Sequence, residues 1–187
     1  MRKPLEIPQP CYRRGVAVLL NQASNLRLRL ELSARSSDGV RSPAALQAEV
    51  AVERYRHRPT TGEHAFVSLL RLPEVTLLDL DLIQFLEQLE ALLEAGQPGG
   101  AALEPRADAA LVLRVTGGPE AFQVEAGLDL RALLEPVGGQ SGGPGADVAL
   151  FRFFANGRAV VAFCAALLEE FARFPTDPSR VSPGEAG

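Results

Sequence analysis

Cysteine is scarce in this chain of 187 residues: Cys11 and Cys164 are the only two, far apart and in no CxxC pair. That excludes a disulfide framework and points to free thiols in a reducing compartment. Histidine is as scarce, with His57 and His64 alone. The two lie across an expected turn, beside Glu63, with no third ligand and no HExxH spacing, so no metal site is expected. Long apolar runs are missing as well. Nothing approaches the roughly 18 residues that a membrane span needs. The opening MRKPLEIPQPCYRRG has charge but no apolar core segment, so it does not read as a secretory signal, and a cytoplasmic location is expected. Lysine occurs once against eighteen arginines, a bias of the kind a GC-rich bacterial genome produces.

The motifs of common chemistry are missing too. The segment GGQSGGPG at 138–145 lacks the Lys-Ser/Thr of a phosphate loop and precedes an expected strand instead of a helix. No G-x-S-x-G elbow occurs, and nothing selects Ser42 or Ser68 as a nucleophile. A hydrolase would have to be built on His57 or His64. No enzyme activity and no cofactor are expected. A pI near 5.3, a negative net charge and 6% aromatics speak against nucleic acid as a partner.

What is present is a hydrophobic content of 47%, enough to build a core. The most readable stretch is Leu80 to Pro98, LDLIQFLEQLEALLEAGQP. Leu82, Phe85, Leu86, Leu89, Leu92 and Leu93 form an apolar stripe, and Glu87, Glu90 and Glu94 share another face. Asp81 is placed to cap with Gln84 reciprocating, Leu80 to staple onto Phe85, and Gly96 and Pro98 to end the helix. Before it, Gly15 to Leu20 reads as a short strand and Asn21 to Asn25 as a turn. Leu26 to Ala34 alternates leucine with charge, the mark of a strand with one wet face. Leu46 to Arg58 follows, with Gln47, Glu49 and Glu53 placed to face Arg27 and Arg29. Ala65 to Leu72 is the next strand, with Pro73 ending it.

After the helix, Ala101 to Leu103 reads as a short strand, Ala109 to Thr116 and Ala121 to Leu130 as a hairpin, and Asp147 to Phe154 as a phenylalanine-rich strand. Asn156 is a candidate cap. Val160, Phe163, Cys164, Leu167, Leu168 and Phe171 form the stripe of a last helix, closed by Pro175. The expectation is an α+β domain over 15–174. It has an antiparallel sheet, strongly curved or folded as a sandwich, with amphipathic helices at about 80–95 and 158–174. Residues 1–14 are expected as an extended arm and 175–187 as a disordered tail. No repeat between the halves is visible in the residues.

Charge is unevenly spread. Residues 1–73 hold 12 Lys/Arg and 6 Asp/Glu, and residues 74–187 hold 7 and 17. The halves either neutralise each other or mark a polar partner surface. Arg54, Arg56 and Arg58 project from one side of a strand, with Tyr55 and His57 opposite. They suit an acidic partner or phosphate, or else protect a sheet edge. Glu87, Glu90 and Glu94 suit a basic partner, or are a solvated helix face. Arg54, Tyr55, Arg56, Arg58, Glu87, Glu90 and Glu94 are therefore the candidate partner-binding residues.

The helix Asp81–Leu93 and the segment ADVALFRFFANGRAVVAFCAALLEEF, with the order of elements over 15–174, resemble small bacterial immunity proteins of the WapI type. The resemblance implies a cytoplasmic protein that binds and neutralises a cognate toxin encoded beside it. It implies no catalytic residue. The alternative is a structural or assembly protein that self-associates through a sheet edge or the acidic helix.

Overall fold

The computed structural model describes residues 16–35, 45–57, 64–94, 98–107, 109–118, 121–130 and 148–175. Four strands come first: β1 (Ala17–Leu20), β2 (Leu26–Arg35), β3 (Ala45–His57) and β4 (His64–Leu78). Helix α1 (Asp79–Glu94) follows without a loop. The pattern then recurs as β5 (Gly99–Leu103), β6 (Leu111–Gly118), β7 (Ala121–Asp129), β8 (Val148–Ala155) and α2 (Gly157–Ala172). Each set of strands is an antiparallel meander in chain order, giving two four-stranded sheets. The fold is α+β, antiparallel with two amphipathic helices as expected, and its strands divide into two sheets.

The chain is thus a β4α unit built twice, although the residues show no repeat. The correspondence emerges in burial. Leu82, Phe85, Leu86, Leu89 and Leu92 are buried on α1, and Val160, Phe163, Cys164, Leu167 and Glu170 on α2. The two series keep identical spacing, since both helices use the same stripe of a 3.6-residue period. The helices are exchanged between units: α1 packs chiefly on β5 of the second sheet, and α2 on β1 of the first. Side chains from both sheets and both helices join in one buried cluster.

Alternation explains the first sheet. Leu28, Leu30 and Leu32 on β2 and Leu46, Ala48, Val50 and Val52 on β3 turn inward and are buried. Their neighbours face out, and Arg27 pairs across the strands with Glu53 as the charge pattern predicts. The Asn21–Asn25 turn holds through the Asn21 Oδ1 atom, which accepts from the N–H groups of Asn25 and Leu26 at 2.9 and 3.0 Å. Asn156 caps α2, accepting from Ala159 N–H at 2.9 Å.

Four local expectations fail for tertiary reasons. Pro73 does not end its strand. It sits where the pairing of β4 with β3 shifts register, between Leu72 and Val75, and β4 is the sheet's last strand. A bulge on an edge asks no ladder N–H of proline. Asp81 does not cap α1. It lies buried in the first turn, where Oδ2 accepts from Arg106 N–H at 3.0 Å, and Gln84 accepts from the same arginine's guanidinium at 3.0 Å. Leu80 is 49% exposed and does not staple onto the buried Phe85. On α2, Leu168 is exposed and Glu170 takes the buried place instead. Apart from Pro175, the expected arm and tail, with Cys11, lie outside the described residues.

Candidate protein-binding surface

The sheets have four edges, and the helices cover two. Gln88 of α1 accepts from Ala102 N–H on β5 at 2.9 Å, and Glu170 of α2 accepts from Leu32 N–H beside the start of β1. The edges β4 and β8 are left. β4 carries two register shifts against β3 and an exposed proline, devices that discourage pairing with another chain.

The outer face of the first sheet is a ladder of charge. Arg27 meets Glu53 at 2.5 Å, and Arg29 meets Glu31 at 2.5 Å and Glu53 at 3.6 Å. Glu49 joins Arg29 to Arg71 by a hydrogen bond from each. Burial opposes ionisation of Glu49, but the bond from Arg71 and the charge and bond of Arg29 outweigh it and hold the carboxyl below its usual value. These charges serve each other, three arginines against three glutamates. The basic excess of the first half therefore lies outside the ladder, and Arg54 and Arg56 are part of it.

At the far end of the ladder the character changes. Tyr55 stacks on His64 with ring centroids 5.5 Å apart and meets the edge of Phe66 at 5.3 Å. Arg27 lies 3.9 Å over the Phe66 ring. Tyr55 N–H bonds Asn25 O at 2.8 Å, which ties the strand to the first turn. Arg54 and Arg56 continue the line of core-facing residues on β3 beyond the end of the core, and so stand exposed. Among the described residues neither makes an ion pair, and the same holds for Arg158 and Arg173 on and just after α2, whereas the other arginines of the first sheet, Arg27, Arg29, Arg35 and Arg71, all do. Arg58 lies outside the described residues.

Glu87, Glu90 and Glu94 are exposed on α1, also without ion pairs among the described residues. They do not join the arginines: α1 lies chiefly on β5, whereas Arg54 and Arg56 lie near the β3–β4 hairpin. The candidates therefore form two separate patches of opposite charge.

Sequence reasoning missed a third exposed feature. Along β8, Val148, Leu150 and Phe154 point outward and are 54%, 50% and 56% exposed. Arg152 lies between them and meets Glu125 at 2.6 Å. The Asn21–Asn25 turn reaches this edge, where Gln22 N–H bonds Phe154 O at 2.8 Å. The alternation in ADVALFRFFA was visible, but which side would be wet depended on the second sheet's position. Cys164 is buried, and burial followed by the charge of Glu90 pushes its thiol up, as befits an inert core cysteine.

Among the described residues no three His, Cys, Asp or Glu side chains gather in a way that would hold a metal. No described helix is long and apolar enough to cross a membrane. The chain matches no protein-family model, no curated protein and no solved structure.

Proposed function

We propose that this chain is a non-catalytic protein-binding protein of immunity type, which blocks a toxin by docking the Arg54–Tyr55–Arg56 end of its first sheet on an acidic surface. The observation that carries the reading is the contrast among arginines. Those on the ladder are neutralised within the sheet. Arg54 and Arg56 are not, and they stand at the same strand end as the aromatic group of Tyr55, His64 and Phe66, on the opposite face of the strand. Unpaired cations draw an acidic partner in, and tyrosine and arginine are among the side chains that most often anchor an interface. The resemblance to WapI-type immunity proteins supports the same reading and names its biological form.

The test is co-expression with the toxin domain encoded beside this gene in the native host. Wild type should rescue growth, and the double substitution Arg54→Glu/Arg56→Glu should abolish rescue while leaving the thermal midpoint in place. Binding should weaken as salt rises from 50 to 500 mM. Rescue that survives the double substitution removes this surface from the function. If no neighbouring product binds at all, the immunity role goes with it.

The exposed apolar side of β8 favours a second reading, self-association through that strand. Light scattering behind size exclusion separates the two readings. A monomer at high concentration excludes the second, and a dimer that Leu150→Lys/Phe154→Lys dissolves supports it.

A further inference from the structure

Among the described residues, two buried side-chain atoms lack a hydrogen-bond partner, Glu170 Oε1 and Arg35 Nε. Both belong to the junction where the end of α2 meets β1 and β2. Arg35, from β2, reaches Phe174 O with one guanidinium nitrogen and Asp79 at 2.7 Å with the other. Glu170 is fully buried. Its Oε2 accepts from Leu32 N–H at 3.3 Å, just past Leu30, the residue that faces the first residue of β1, Ala17. Its own backbone carbonyl accepts from Arg173 N–H at 3.0 Å and so anchors the cap of the helix.

The other unit shows what this position would hold without a carboxyl. Its counterpart is Leu92, whose Cδ1 lies so close to Gly99, the first residue of β5, that a Cβ there would come within 3.1 Å. Leucine closes that junction with apolar contact alone. Glu170 closes the matching junction with an acid whose hydrogen bond there, from Leu32 N–H, is long at 3.3 Å. A charged carboxylate so placed is costly, and a neutral carboxyl much less so.

We infer that Glu170 is a proton-controlled latch, which seats the last turn of α2 on β1 and β2 when neutral and loosens it when ionised. The surroundings support the direction. Burial first, then the nearby charge of Glu31 on β2, push the carboxyl up to about 7, against the Leu32 and Ala17 N–H groups and Arg173. Of the other charges near α2, Arg35 of β2 and Asp79 of α1 pair with each other at the helix end, Glu125 of β7 holds Arg152, Glu90 of α1 bears on Cys164, Glu169 of α2 is exposed, and β1 carries no charged residue. With an opened turn whose carboxyl titrates at the ordinary 4.5, opening becomes about 70-fold more favourable between pH 5 and pH 8. Since α2 lies on the other unit's sheet, the latch acts on the seam between the two units.

Hydrogen exchange on the full chain, read by NMR at pH 5 to 8 and corrected for intrinsic rates, tests this. The amides of Leu32, Arg173 and Phe174 should lose protection across that range in wild type, by tens of fold. They should keep it in Glu170→Gln, which retains the acceptor without the charge. The end of α1 around Leu92 is the internal control and should not change. The latch is overturned if wild-type protection is flat, if α1 loses as much, or if Glu170→Gln loses protection like wild type. If the variant fails to fold, the comparison of α2 with α1 in wild type decides alone.

Discussion

Replacing Glu49 by glutamine tests whether the charge ladder stabilises the first sheet. The side chain is 14% exposed and bonded by Arg29 and Arg71. Glutamine keeps the size and one acceptor but loses the charge. A charge-assisted bond in this setting is worth about 1.5–3 kcal/mol, and a surface pair at most about 1 kcal/mol. Arg71 is 59% exposed, so its bond falls in the weaker class. Arg29 is 20% exposed but is not stranded by the change, because Glu31 and Glu53 remain beside it. The expected cost is therefore about 1–2 kcal/mol, below the 3–5 kcal/mol of breaking a fully buried pair. Urea denaturation at neutral pH measures it. The pH dependence has a definite sign. The folded carboxyl sits below its ordinary value, so its contribution is complete above the unfolded pKa and fades as pH falls through the folded one. The gap between wild type and Glu49→Gln should close toward pH 3. A gap under about 0.3 kcal/mol at pH 7, or one that persists undiminished at pH 3, would refute the reasoning.

Two further substitutions probe the frame. Phe163→Ala, at a fully buried position of α2, should cost about 3–5 kcal/mol in chemical denaturation, whereas Leu168→Ala on the same helix, 39% exposed, should cost under about 1.5 kcal/mol. Equal costs would mean that α2 is turned otherwise. Gly117→Ala should lower stability by at least about 1–3 kcal/mol, because Gly117 has φ 137° and an added Cβ would fall 2.5 Å from Ala121 O. An unchanged thermal midpoint would contradict that geometry.

The residues by themselves determined whatever depends on near neighbours in the chain. Leu26 to Leu32 alternates, and alternation makes a strand with one dry face wherever that face is covered. The stripes of both helices and the Asn156 cap are local in the same way. The pairing of Arg27 with Glu53 followed once two such strands were set side by side. Only the tertiary structure decided matters that depend on which elements meet. That β4 lies at an edge makes Pro73 harmless inside it. That Arg106 comes back over the first turn of α1 takes Asp81 from capping into an ion pair. That the helices exchange sheets makes a repeat out of two unlike sequences and buries Glu170 where Leu92 stands in the other half. That the core ends before Arg54 leaves Arg54 and Arg56 exposed, outside the ion pairs that engage Arg27, Arg29 and Arg71 on the same sheet. Spacing along a chain carries the period of one element, but a side chain's partner is set by contacts between elements distant in sequence, and those exist only after folding.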